Sequence, residues 1–104
     1  MDPPLTLGFI KVLIILMRQV PEKNKNVVWQ MVGDELMLLN PETGSFFGLN
    51  QVASECWDYI DGQKSIEDIV AILLKEYDVQ PDTLSKDIYD LIQKMEEKGI
   101  ITLK

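Results

Sequence analysis

An α+β domain is predicted by three features of this sequence. The chain has 104 residues, the size of one domain. Its middle carries three short runs of strand-forming residues separated by turn signals, and its second half carries three stretches whose apolar residues recur at helical spacing.

The strands come first. Val27–Val32, VVWQMV, is rich in strand formers. Gly33-Asp34 then offers a two-residue turn with Gly in first place, the type II′ preference. Glu35–Leu39 is the return strand, Asn40-Pro41-Glu42-Thr43-Gly44 a strong turn, and Ser45–Leu49 the third strand. An antiparallel meander is the economical connection, and a sheet this small must have one face covered.

Three helices supply the cover. Asn50 is an N-cap for a helix whose apolar face is Val52, Ala53, Cys56, Trp57 and Ile60. Ser65 and Asp68 form a variant capping box ahead of Ile66, Ile69, Val70, Leu73 and Tyr77. Pro81-Asp82 opens a third helix carrying Leu84, Ile88, Leu91, Ile92 and Met95, and Gly99 stops it, with Lys94 and Lys98 favouring its C-terminal dipole. Ile100–Leu103 is a short closing strand. The order is a three-stranded antiparallel sheet, then a three-helix, winged-helix-like bundle with a C-terminal wing strand.

Residues 1–17 stand apart. Leu5–Met17, LTLGFIKVLIILM, is too short for a membrane span and holds Lys11 at its centre; the start Met1-Asp2-Pro3-Pro4 is not that of a signal peptide. Two readings stay open: an apolar arm that packs on something, such as a second copy of the chain, or upstream sequence ahead of a start at Met17. Residues 18–26, RQVPEKNKN, read as a linker, and 27–104 as the domain.

Composition removes several function classes. Seventeen acidic against ten basic residues give a net charge of −7, and residues 50–104 alone hold twelve acids and six bases. A helix reading DNA on that half would work against its own surroundings, so no nucleic-acid partner is expected. There is no histidine and one cysteine, which leaves no disulfide within the chain and no thiolate or imidazole metal cage, and fits a reducing, cytoplasmic setting. No cofactor, metal or membrane partner is expected. Glu67-Asp68 and Glu96-Glu97 are adjacent on helices, point apart and read as solvated surface. Cys56 reads as a buried inert thiol, since no histidine can activate it. Trp29 and Trp57 read as core or sheet-face anchors. No phosphate loop, dinucleotide fingerprint or catalytic constellation is present, so the chain is not expected to be an enzyme.

Several motifs in order carry a resemblance. The turn Asn40–Gly44, the junction Phe47-Gly48-Leu49-Asn50, Trp57, Asp61-Gly62 and the stretch Asp87–Gly99 together resemble the PqqD-like family over about 75 residues, a match made by consistency of order. The resemblance implies a recognition element of ribosomally made, post-translationally modified peptides: a non-catalytic domain that binds the leader of a precursor peptide and presents it to a modifying enzyme, often a radical S-adenosylmethionine enzyme. It further implies that the leader adds as a strand beside the third strand, at Ser45, Phe46, Phe47, Gly48 and Leu49, in a groove whose helical wall carries Asp87, Leu91 and Lys94.

The physics of such a site stands independently. An edge strand exposes unpaired N–H and C=O groups, and an added strand draws affinity from them and specificity from side-chain pockets. Phe46 and Phe47 point to opposite faces; one is expected in the core and the other at the groove. The residues alone favour an inert edge with both rings packed in the core, since aromatics on small sheets usually serve packing. Two other classes compete: a homodimerisation module that exchanges the apolar arm, and a winged-helix DNA binder.

Overall fold

The computed structural model describes residues 15–104. Of the arm reading of residues 1–17, residues 1–14 lie outside the described residues. Eight elements follow in order: β1 (Pro21–Lys23), β2 (Val28–Val32), β3 (Glu35–Leu39), β4 (Phe46–Leu49), α1 (Gln51–Tyr59), α2 (Ile66–Leu74), α3 (Pro81–Glu97) and β5 (Ile101–Leu103). The strands β2-β3-β4 form the expected antiparallel meander, with Val32 opposite Glu35 across the first turn and Leu38 opposite Phe47 across the second pair. Gly33 has φ +63° while Asp34 does not have a positive φ, the type II′ signature that the Gly-first order favours.

The segment expected to be a linker contains a strand. β1 pairs antiparallel with β5, Pro21 opposite Leu103 and Lys23 opposite Ile101, so the wing strand has a partner from the other end of the chain. Backbone bonds between Val20 and Lys104 extend the pairing, and the Lys104 ammonium lies 3.1 Å from Glu22 and 3.2 Å from the Gly62 carbonyl.

The helices begin where their caps predict. The Asn50 side chain accepts the Ala53 N–H at 3.0 Å, and Ser65 and Asp68 form a reciprocal capping box. Pro81 takes the first turn of α3, where its missing N–H costs nothing. Ile69, Leu73, Ile88, Ile92 and Met95 close the core beneath Leu38 and Leu49, all essentially inaccessible to solvent. Helix α1 lies on β3 and β4. Trp57 is buried as expected, but Trp29 is 63% exposed. It shares the inner face with buried Leu38, yet it stands on β2, beyond the reach of the helical layer.

Met17 is buried in the core, and its carbonyl and that of Gln19 accept the first two free amides of α2, Glu67 and Ile66. The domain is therefore expected to need residues from Met17 onward. A chain beginning at Met17 should keep one cooperative thermal transition, whereas a chain beginning at Asn24, without Met17 and β1, should lose about 3 kcal/mol. Circular dichroism melts of both check this; loss of the transition in the Met17 chain would put residues 1–16 in the folding unit.

Candidate functional site

β4 is one of the two edges of the sheet: it pairs with β3 on one side, and alternate residues direct their backbone groups away from the ladder on the other. Its local sequence sets what the edge presents. Leu49 is fully buried, so only its backbone faces the edge. Phe47 pairs with Leu38 on the inner face and packs against the core, and the Lys98 ammonium at the end of α3 sits 5.9 Å from its ring centre. Phe46, opposite Leu39, is on the outer face and 64% exposed. Phe47 is thus the ring on the core side, and Phe46 faces solvent on the other side of the sheet. Gly48 is also on the outer face, where a Cβ would come 3.2 Å from the Met37 sulfur. Ser45 precedes the strand, with its N–H donated to Thr43 Oγ1 and its carbonyl accepting the Asn40 N–H, so both backbone groups are engaged in the turn. The open edge is Phe46–Leu49.

Beside the end of β4, a cavity of about 370 Å³ opens between α1 and α3. Asp87, Ile88 and Leu91 line it from α3, Val52 and Ala53 from α1, and Tyr77 from the loop between α2 and α3. Asp87 and Leu91, expected on one helical face, are brought together here; Lys94 is exposed three residues on and does not line the cavity. The walls are mostly apolar. Tyr77 donates its hydroxyl to Glu55, and that bond to a carboxylate pushes its phenol up to about 12, so it remains neutral.

Two residues that the sequence did not single out for the site hold its parts in place. Asn40, buried at the start of the β3–β4 turn, accepts the Glu42 N–H at 3.0 Å and donates to the Gly99 carbonyl at 3.1 Å and the Lys98 carbonyl at 3.4 Å. It fastens the turn that leads into β4 to the C-terminus of α3, joining the two walls of the groove. Gly99 makes this approach possible: its φ is +70°, and a Cβ there would stand 2.6 Å from the Asn40 amide nitrogen. Lys98 is the other; extending the Leu91–Lys94 spacing by one turn would have found it.

Cys56 is fully buried, and desolvation pushes its thiol up to about 12, so it carries no thiolate for nucleophilic chemistry. Among the described residues, no group of three or more His, Cys, Asp or Glu side chains is arranged to hold a metal ion, and no helix is long and apolar enough to cross a membrane.

The family model for coenzyme PQQ synthesis protein D, PqqD, matches residues 35–101, which is 67 of the 104 residues. The chain belongs to the PqqD family. The match runs from the start of β3 to the first residue of β5 and so contains the whole candidate groove. Among solved structures, TbiB1 in complex with the TbiA(beta) leader peptide is 31% identical with a TM-score of 0.68, covering 77% of this chain and 93% of that one. The PqqD truncation of Methylobacterium extorquens PqqCD, described as a functional, stand-alone recognition element for ribosomally synthesised and post-translationally modified peptides, is 25% identical with a TM-score of 0.63, covering 80% and 88%. Lasso peptide synthetase B1 complexed with its leader peptide shares the fold at 21% identity and a TM-score of 0.69, covering 79% and 96%. No curated protein sequence matches the chain.

Proposed function

We propose that this PqqD-family chain is a leader-peptide recognition element. It captures the leader of a ribosomally made precursor as an additional strand along Phe46–Leu49 and presents the precursor to a modifying enzyme, a radical S-adenosylmethionine enzyme being the partner class, in the cytoplasm. The observation that supports this reading is the β4 edge, unpaired among the described residues, with a mostly apolar cavity walled by α3 at its Asn50 end. An extended peptide there gains main-chain hydrogen bonds from the strand and side-chain pockets from the helix. The domain itself is non-catalytic: the chain has no histidine, and its one thiol is held protonated.

Charge along the α3 wall tunes the preference. Lys94 is exposed on α3 about one turn beyond Leu91, and Lys98 lies at Phe47. Lys94→Glu is expected to weaken an acidic leader by about tenfold at low salt and a neutral one by less than about twofold, because it acts through charge rather than packing. Calorimetric titration checks this, using a synthetic leader of whichever precursor peptide is encoded near this chain's gene, and its charge-neutralised variant. No heat with that leader, from a protein that melts cooperatively, would count against the recognition reading. Equal weakening of both peptides would remove Lys94 from the electrostatic wall.

A further inference from the structure

The wall that α3 presents to the β4 edge carries opposite charges at its two ends. Asp87, Leu91 and Lys94 follow one another along the helix, and Lys98 is its C-cap. At about 100° per residue the four fall within about 60° of arc, a single stripe.

Helix and strand run in opposite senses. The turn that leads into β4 is fastened by Asn40 to the carbonyls of Lys98 and Gly99, and the Lys98 ammonium lies 5.9 Å from the Phe47 ring centre. At the other end Asn50, just past β4, lines the cavity together with Asp87 and Leu91. A chain lying along β4 therefore meets Lys98 and Lys94 near Phe47, then Leu91, and then Asp87 beyond Leu49.

These charges are open to a ligand. Asp87 and Lys94 are exposed, and Lys98 is half-buried. Among the described residues the ion pairs are Lys64 with Asp61 and Lys104 with Glu22, so no carboxylate there stands within 4.0 Å of Lys94 or Lys98, and no basic group within 4.0 Å of Asp87. Asp90 and Glu97, a turn to either side of Lys94, fall on the solvent flank of the stripe. The helix dipole does not account for Asp87, because its effect is confined to the first turn and Asp87 is the seventh residue of α3. Glu55, which accepts the Tyr77 hydroxyl at the cavity wall, adds a second carboxylate at the Asp87 end.

We infer that the groove selects its leader by the order of charge: a basic residue at the Asp87 end, an apolar residue over Leu91 and an acidic residue at the Lys94–Lys98 end, all on one face of the docked strand. The inference rests on the recognition reading and names the class of leader that the site takes. The spacing follows from the two rises. Asp87 to Lys94 covers about 10.5 Å of helix, and Asp87 to Lys98 about 16.5 Å. Side chains on one face of a strand recur every second residue, about 6.8 Å, so three successive ones span about 14 Å and fall between those limits. The pattern is basic-x-apolar-x-acidic. Addition antiparallel to β4, the pairing that both ladders of this sheet already use, makes the peptide run in the sense of α3, so the basic residue comes first. The same peptide laid parallel, or one with its charges exchanged, sets like charges together at both ends.

A displayed library of random linear peptides, panned on the full chain, tests this. Wild type should enrich basic-x-apolar-x-acidic, and the double variant Asp87→Lys, Lys94→Glu, melting cooperatively, should enrich the exchanged order. Asp87→Lys alone is the second variant; it should lose the preference for the basic residue and keep that for the acidic one. A selected peptide and its charge-exchanged twin, both synthetic, then enter calorimetric titration with wild type. Exchange should weaken binding by about tenfold or more at low salt and by less than about threefold at 1 M salt, where the screening length falls to about 3 Å. Amide hydrogen exchange at Phe46–Leu49 shows where the selected peptide sits. Peptides that protect this edge but show no charge order, or the same order with wild type and variants, would overturn the inference and leave the recognition reading standing. Selected peptides that leave the edge unprotected, or no enrichment at all, would overturn both.

Discussion

Leu91→Asp is expected to weaken leader binding by roughly 100-fold with the fold intact. Leu91 is half-buried, packs against the core from α3 and lines the cavity beside β4. A leader side chain docking there would be asked to desolvate a carboxylate with no partner, and a loss of about 3 kcal/mol is the scale of such a mismatch. Leu91→Met conserves volume and apolarity and should stay within about threefold of wild type. Titration calorimetry on the three proteins, each with its own thermal melt, reads the difference. If Leu91→Asp folds and binds as wild type does, the cavity is not where the leader's side chains go.

Asn40→Ala should destabilise the domain by about 2 kcal/mol, or roughly 10 °C in melting temperature for a chain of this size. The substitution removes both donors to the end of α3 and the acceptor for the Glu42 N–H. Asn40→Asp separates hydrogen bonding from packing. It keeps the size and the acceptor for Glu42, but turns a buried oxygen and a charge toward the carbonyls of Lys98 and Gly99. It should cost more than alanine at neutral pH, about 3 kcal/mol. Because Asn40 links the two walls of the groove, both variants should also bind leader less tightly, even well below their melting temperatures. Thermal melts establish the order; an aspartate variant as stable as wild type would mean that these carbonyl contacts carry no weight.

What could be read from the sequence was set by local chemistry. The turns at Gly33-Asp34 and Asn40–Gly44, the cap at Asn50, the box at Ser65–Asp68 and the proline at 81 each fix a boundary with residues a few positions apart, and each boundary stands within a residue or two of its expected place. β1 was not legible because three residues, Pro-Glu-Lys, carry no period, and their pairing partner lies some 80 positions away at Ile101–Leu103. The two roles of Asn40 show the same limit. Its part in the turn is local, whereas its bond to Gly99 spans 59 positions. Trp29 reads as a core or sheet-face anchor, but no pattern in β2 tells how far α1 extends across it, and the ring is exposed. At the groove, helical spacing groups Asp87 with Leu91, while the cavity's other wall, Val52 and Ala53, comes from the apolar face of α1, whose spacing alone does not tell core from cavity. The backbone engagement of Ser45 depends on hydrogen bonds that only the folded turn defines.

Strand addition at β4 is tested most directly by amide hydrogen exchange, read residue by residue in NMR spectra of the full chain with and without the synthetic leader. Leader binding is predicted to slow exchange at alternate amides within Phe46–Leu49, those directed away from β3, while the β2 amides Val28–Val32 keep the rates they have without peptide. A leader that binds with full heat in calorimetry yet leaves every β4 amide unprotected would contradict the account, because the peptide would then be held by side chains elsewhere and not by the open edge of the sheet.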